Sequence, residues 1–137
     1  RNPYSNRPWQ FVLDPLMGYL ILGKKLYINP KKYSGSYNFG PEQQSIKSVN
    51  DVVSMIVNFW GSKSVVIKRN SNFVEHDNLQ LNANKSKKIL KWKPLYNTKE
   101  SVKNTTEWYY KVLKENKNPS QVTNEQIKQH MNDTNWK

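Results

Sequence analysis

A four-residue segment near the start of the chain, Arg7-Pro8-Trp9-Gln10, places a cation, an indole and an amide directly before an apolar run with helical spacing. An arginine at the edge of a buried segment is costly unless it meets an anion, because a charge taken out of water must be paired. Its guanidinium presents a planar fork of donors that matches two phosphate oxygens at a time. Spacing alone leaves two interpretations open: an anion site built on Arg7, or a surface arginine beside a packing tryptophan.

The first helix is predicted by residues that favour a helix start and a helix stop. Asp14 is a good N-cap and Pro15 suits the first helical position, so we expect the helix to begin there. Leucines and a tyrosine then form a broad apolar stripe down to about Tyr27, and Asn29-Pro30 should end the helix.

Capping residues also mark two later helices. Ser48 or Asn50 should cap a helix that ends at Gly61, since glycine accepts the left-handed conformation common after a helix. The segment Asn97–Glu100 resembles a capping box, and it predicts a long helix that ends at about Glu115.

Short segments between the helices have the alternation or the β-branched residues of strands. We predict short strands at 10–13, 37–39, 65–67 and 79–81, and a short helix capped by Asn84 that runs to about Leu90. Strands mixed with helices indicate an α/β or mixed α+β lobe, organised as one domain over residues 1–137. Within it, residues 117–137 should form a polar, partly helical tail, with a last weak helix over Thr123–Met131.

The length, hydrophobic content and net charge of the chain limit the classes of function that it can have, but they do not identify one. The chain has 137 residues, 36% of them hydrophobic, which is enough for one modest core. A net charge of +12 is typical of nucleic-acid-binding proteins. However, the positive charge is nearly all lysine, scattered along the chain, and only Arg1, Arg7 and Arg69 are arginines. We therefore favour a solvated basic surface and no nucleic-acid partner. A basic nucleic-acid-binding module remains the alternative from another functional class.

The absence of cysteine excludes disulfides, thiolate catalysis and cysteine-ligated zinc. No apolar run approaches the roughly 20 residues needed to cross a bilayer, and no signal peptide is visible. We therefore expect a cytoplasmic protein with no membrane partner. The chain starts at Arg1 without a methionine, which suggests a piece of a longer protein.

The stretch from Arg7 to Tyr19 resembles the nucleotide-sugar-binding segment of the CDP-glucose 4,6-dehydratases, which are extended members of the short-chain dehydrogenase/reductase superfamily. The superfamily pattern is an arginine, an aromatic residue two positions later, a His-Val pair and a helical glycine. Here it reads Arg7, Trp9, Phe11-Val12 and Gly18. Phe11 departs from the usual histidine, but a phenylalanine can serve the packing role at this position.

Other segments carry the same resemblance along the chain. They are Arg1-Asn2-Pro3, Tyr37–Pro41, Glu75 with Leu79, Leu81 and Asn82, Lys85–Pro94, and Thr106–Tyr109. Phe39, Gly40 and Pro41 should position a pocket rather than touch a ligand. Lys91 stands where glycine is usual, so the helix that ends there must exit differently or accept a positive φ at a cost.

The resemblance implies which residues bind a nucleotide sugar. Arg7 would grip the diphosphate or the ribose, and Trp9 and Gln10 would shape the pocket beside it. Arg1 and Asn2 would line the nucleotide site.

Glu75 is a further binding residue that the resemblance implies, as a contact to sugar or ribose hydroxyl groups. The run Glu75-His76-Asp77 could also suggest a metal site. Adjacent residues on a strand point to opposite faces, so three in a row form a poor cage, and we expect no metal here.

The resemblance further implies a C-terminal, substrate-binding lobe, with the N-terminal Rossmann domain absent. That domain would bind NAD and carry the catalytic tyrosine and lysine. No Gly-rich strand-to-helix turn is present in this chain, so nothing here can cradle a dinucleotide pyrophosphate. We therefore expect no catalytic residue in the chain and no activity from the chain alone.

The reaction implied for the whole protein converts CDP-glucose to CDP-4-keto-6-deoxyglucose with loss of water. Its product would supply deoxysugars for bacterial surface polysaccharide, and the full-length protein would be a homo-oligomer. A neighbouring nucleotide-sugar epimerase or dehydratase is the alternative within the superfamily. Two Tyr-x-x-x-Lys pairs, Tyr27 with Lys31 and Tyr110 with Lys114, match the catalytic spacing of the superfamily, and we interpret both as chance.

Overall fold

The computed structural model describes residues 2–61 and 78–134. In them, a two-stranded sheet pairs β1 (Asn6–Arg7) antiparallel with β2 (Lys47–Ser48). Asn78 adds an isolated parallel bridge to Asn6. The predicted strand at 65–67 lies outside the described residues.

Helices make up most of the described chain. They are α1 (Leu13–Ile28), α2 (Pro30–Tyr33), α3 (Val49–Trp60), α4 (Thr98–Leu113) and α5 (Pro119–Asp133), with a 3-10 turn at Gln43–Ser45 and a π-helical turn at Ser86–Leu90. α3 packs along α4, and α4 also packs against α5. The mixed α and β content is confirmed at this coarse level, although residues 2–61 and 78–134 contain less strand than the sequence predicts for them.

Local capping chemistry fixes the ends of α3 and α4 as predicted. The Ser48 hydroxyl accepts a hydrogen bond from the Asp51 backbone N–H at 3.1 Å, and the Asp51 carboxylate accepts one from the Ser48 N–H at 3.1 Å. Asn97 and Glu100 form the same reciprocal pair at the start of α4. Gly61 ends α3 in the left-handed conformation, with φ of 72°.

The predicted start of α1 is wrong. The helix begins at Leu13, after Val12, so Asp14 lies inside the first turn and Pro15 occupies the third helical position. The Asp14 carboxylate makes no capping hydrogen bond in α1. It instead accepts hydrogen bonds from the backbone N–H groups of Leu95 and Tyr96. Asn29 ends α1 as predicted, and its side chain accepts a hydrogen bond from Lys32 N at 3.0 Å to start α2.

Three predicted strands are absent from the described residues: those at 10–13, 37–39 and 79–81. The segments around 38 and 82 do lie side by side, but side chains join them rather than backbone ladders. Asn38 Nδ2 donates to Asn82 O at 3.4 Å, and the Ser86 hydroxyl donates to Asn38 O. The alternation at Leu79 and Leu81 leaves both side chains exposed, so it does not reflect a half-buried strand.

The main apolar cluster lies between α1 and the π-helical turn. Phe39, Ala83, Leu90 and Trp92 are buried together, and Trp92 meets the Phe39 ring edge-to-face at 5.1 Å. Phe39 and its buried neighbours Gly40 and Pro41 thus have the structural role predicted for them. Lys91, before Trp92, takes a positive φ of 60°, which is one of the two outcomes that the sequence predicts.

Gly18 of α1 packs directly on the apolar cluster. It faces the Phe39 ring so closely that a Cβ at this position would overlap the ring. Asn82 Oδ1 accepts a hydrogen bond from Asn84 N at 3.0 Å, so Asn82 rather than Asn84 holds the start of the short helical segment.

Residues 119–133 form a helix that packs against the rest of the protein, rather than a polar tail. The predicted last helix is confirmed as α5, which begins four residues earlier than predicted, at Pro119. Its Val122 and His130 are buried against the rest of the protein. In α4, Val102 is buried, whereas Tyr109 and Leu113 are exposed.

Candidate functional site

The two-stranded sheet brings together the segment that contains Arg7 and a segment forty residues later. Arg7 is the last residue of β1, and its Nη1 donates to the carbonyl oxygen of Asn6 at 2.8 Å. The antiparallel register places Arg7 directly opposite Lys47 of β2. Residues in such a pair project from the same face of the sheet, so the structure gathers two cationic side chains on one face.

Lys47 is a residue that sequence reasoning missed. A single lysine among many carries no distinguishing signal, and only the pairing register identifies it. Like charges opposed across a sheet repel each other. A site that keeps such a pair is suited to bind a ligand with negative charge, such as a phosphate or a diphosphate.

Trp9 lies beside this cationic pair, and its indole N–H is bonded to the protein rather than available to a ligand. After Arg7 the chain turns, with Trp9 N donating to Arg7 O at 3.0 Å. The Trp9 indole then reaches back to β2, where Nε1 donates to Lys47 O at 3.0 Å. The indole therefore fixes the backbone under Lys47, which agrees with a role in shaping the pocket.

Gln10 is likewise held by the protein itself. Its Nε2 donates to Phe39 O at 2.9 Å, which ties the segment to the apolar cluster beneath α1. Its Oε1 is buried and has no hydrogen-bond partner among the described residues. Gln10 also borders two neighbouring grooves along α4, one of about 210 Å³ lined by Trp9 and Ile56, and one of about 470 Å³ lined by Trp108.

Asn2 helps to hold the N-terminal segment in place. Its side-chain Oδ1 accepts from Tyr4 N at 3.0 Å, and its backbone oxygen accepts from Ser5 N at 3.4 Å. The same segment closes the start of α3, because Pro3 O accepts from Asn50 N at 2.8 Å. The first amides of α3 are thus used by the protein, so anion binding at this site would depend on side chains rather than on a helix end.

A separate buried network connects α1 with α5. Asp14 is 1% exposed, and its carboxylate accepts from Leu95 N at 3.0 Å and lies 2.9 Å from His130 Nε2. The Trp92 indole donates to the Asp14 carbonyl oxygen at 3.0 Å. The network holds the start of α1 to the chain around 95 and to α5.

Tyr96 lies beside this network and is affected by it. Burial, followed by the hydrogen bond from its hydroxyl to Asp133 Oδ2 at 3.0 Å, raises the pKa of Tyr96 to about 12. The hydrogen bonds from Ser48 hold the pKa of the Asp51 carboxyl below its ordinary value. Burial and structural hydrogen bonds account for the two shifts, so neither marks an acid or a base for catalysis.

Two of the predicted binding residues, Arg1 and Glu75, lie outside the described residues. Tyr27 is 93% exposed one position before the end of α1, and Lys31 belongs to α2. Within 2–61 and 78–134, no three His, Asp or Glu side chains lie close enough together to hold a metal ion.

No helix in the described ranges is long and apolar enough to span a membrane. No protein-family profile matches the chain. The chain is 36% identical over 110 residues to the CDP-glucose 4,6-dehydratase of Salmonella typhimurium, and the aligned part is 80% of this chain. The resemblance drawn from the sequence is therefore confirmed. The alignment spans 31% of that enzyme's length, so the chain corresponds to about a third of it.

Proposed function

We propose that this chain, which is related over four fifths of its length to a CDP-glucose 4,6-dehydratase, is the nucleotide-sugar-binding lobe of such an enzyme. The observation that carries the proposal is this similarity. The chain spans about a third of the relative, and on this proposal the cofactor NAD and the catalytic residues belong to a second, Rossmann-type lobe. The whole protein would then act in the cytoplasm as a homo-oligomer, converting CDP-glucose to CDP-4-keto-6-deoxyglucose for bacterial deoxysugar synthesis.

The geometry at the sheet supports the binding role. Arg7 is a half-buried guanidinium at a fixed backbone position, and Trp9 and Gln10 are held beside it by hydrogen bonds to Lys47 O and Phe39 O. A guanidinium fixed in this way can donate hydrogen bonds to two oxygens of one phosphate without ordering a mobile segment first. We expect Arg1, Asn2 and Glu75 to complete the nucleotide and sugar contacts.

Calorimetric titration of the chain with CDP-glucose tests the proposal. We expect Arg7→Ala to weaken binding by about 1.5–3 kcal/mol, which is typical of a hydrogen bond to a charged group. Lys128→Ala, which removes an exposed cation of α5, should leave the affinity unchanged. Equal affinity of the wild type and Arg7→Ala would remove Arg7 from the site.

The same titration separates the alternatives. Preference for dTDP-, UDP- or GDP-glucose would keep the lobe and assign it to a neighbouring epimerase or dehydratase. Tight binding to duplex DNA that falls steeply with salt, together with no nucleotide-sugar binding, would favour a basic nucleic-acid-binding module.

A further inference from the structure

The opposed pair of Arg7 and Lys47 is an unfavourable arrangement for a sheet. Of the two residue pairs that β1 and β2 form within the described residues, one sets two positive charges directly across from each other. Directly opposed side chains lie about 4.5–5.5 Å apart at Cβ, and like charges in that position destabilise the pairing. A neutral residue at position 47 would give the sheet the same backbone hydrogen bonds without the repulsion.

Ion pairing within the described residues does not relieve this repulsion at Lys47. None of the ion pairs formed there includes Lys47. The Asp51 carboxylate feels the charge of Lys47, but it is bonded to the N–H and the hydroxyl of Ser48 in the capping box of α3. Lys47 is thus held near Arg7 without a carboxylate of its own.

The backbone that carries Lys47 is fixed, while its side chain has space. The Trp9 indole bonds the Lys47 carbonyl oxygen at 3.0 Å, so the base of the side chain cannot move away from β1. Lys47 is half-buried and borders a cavity of about 420 Å³, lined also by Lys99 and by Glu42, whose carboxylate is paired with Lys87 at 2.7 Å. A ligand can therefore reach the ammonium group while the stem stays in place.

We propose that Lys47 is a second anion-binding residue, which acts with Arg7 on the diphosphate of the nucleotide sugar. A diphosphate has two charged phosphate groups, so two neighbouring cationic side chains can bind it together. The Arg7 guanidinium matches two oxygens of one phosphate, and the Lys47 ammonium acts as a compact point charge on the other. The inference rests on the proposed function, since it names a residue of the same site.

The test compares Lys47→Met, which removes the charge and keeps the stem, with Lys47→Arg, which keeps the charge. Lys128→Met is the matched control on an exposed face of α5. The probes are CDP-glucose, inorganic pyrophosphate and cytidine. We expect Lys47→Met to weaken binding of CDP-glucose and pyrophosphate by roughly tenfold or more, Lys47→Arg to retain most of the affinity, and cytidine binding to be unaffected.

A second measurement reports on Lys47 without any nucleotide. If Lys47 is kept for binding at the expense of the sheet, Lys47→Met should raise the Tm of the ligand-free chain and reduce the rise in Tm that pyrophosphate causes in the wild type. A purely structural lysine predicts the opposite for the ligand-free chain, namely an unchanged or lower Tm.

The outcomes separate this inference from the proposed function. If CDP-glucose binding depends on Arg7 but is the same in Lys47→Met, the function stands and the role of Lys47 is overturned. If the wild type binds no nucleotide sugar, the proposed function fails. The role of Lys47 is then judged by pyrophosphate alone. A smaller rise in Tm in Lys47→Met than in the wild type supports an anion site. An equal rise in both proteins, or no rise in either, overturns it.

Discussion

The imidazole Nε2 of His130 lies 2.9 Å from the carboxylate of Asp14, and this contact joins two residues separated by 116 positions. Both side chains are almost fully buried, and the Phe11 and Tyr96 rings lie against the imidazole. The contact makes α5 part of the core around α1.

Removal of the Asp14 carboxylate should therefore destabilise the whole fold. In Asp14→Ala the buried donors Leu95 N and His130 Nε2 lose their acceptor, and we expect the free energy of unfolding to fall by about 3 kcal/mol or more. Urea unfolding followed by circular dichroism measures this change. Glu115→Ala, which removes an exposed ion pair with Lys117, should cost about 0.5 kcal/mol or less. Similar losses in both variants would contradict the assigned role of Asp14.

Two glycines of α1 should respond in opposite directions to the same substitution. Gly18→Ala forces a methyl group into the Phe39 ring, so we expect a loss of about 1–3 kcal/mol. Gly23 has open space around it, and Gly23→Ala should stabilise the helix by about 0.5–1 kcal/mol, because alanine loses less backbone entropy. Denaturant unfolding of the two variants gives the comparison. A stabilising Gly18→Ala would show that Phe39 does not pack on α1 in this way.

The positive φ of Lys91 predicts a stabilising substitution. Lys91→Gly removes the steric cost of a left-handed conformation, and we expect the free energy of unfolding to rise by up to about 1 kcal/mol. Asn116 also has a positive φ, of 52°, but asparagine tolerates this region, so Asn116→Gly should gain less. Thermal unfolding of both variants provides the check, and a lower Tm for Lys91→Gly would count against the described turn.

The shifted pKa of Tyr96 predicts a pH dependence of stability at high pH. The unfolded chain loses this proton near pH 10, whereas the folded protein keeps it to about pH 12. The folded state binds more protons in this window. The titration of Tyr96 should therefore leave the free energy of unfolding independent of pH below about pH 10 and lower it between about pH 10 and pH 12.

Tyr96→Phe isolates this contribution, because phenylalanine has no proton to lose. Urea unfolding at several pH values should show a smaller decrease above pH 10 in Tyr96→Phe than in the wild type. Tyr27→Phe, at a position that is 93% exposed, should follow the wild type. A wild-type slope in Tyr96→Phe would show that the titration of Tyr96 is not linked to folding.

Features set by neighbouring residues were predictable from the sequence, and features set by distant contacts were not. The caps at Ser48 and Asn97 and the end of α3 at Gly61 depend on residues within a few positions, and they are confirmed. Asp14 has the residue type of a cap, but Leu95, Tyr96 and His130 together offer its carboxylate a better set of donors. The long-range hydrogen bonds of Asp14 therefore outweigh its local preference for a helix cap.

The candidate site shows the same division. Arg7, Trp9 and Gln10 could be identified because they are adjacent and match a family pattern. Lys47 could not, because its position beside Arg7 is a matter of strand register and no local signal marks it. The roles assigned to these residues remain predictions until binding is measured.

The central claim is that this lobe belongs to an enzyme that dehydrates CDP-glucose. The most direct test is an activity assay on the protein encoded by the complete reading frame around the chain, supplied with NAD and with CDP-, dTDP-, UDP- or GDP-glucose. We predict formation of the 4-keto-6-deoxy product from CDP-glucose alone. A folded protein that binds NAD and yields no such product from CDP-glucose would contradict the claim.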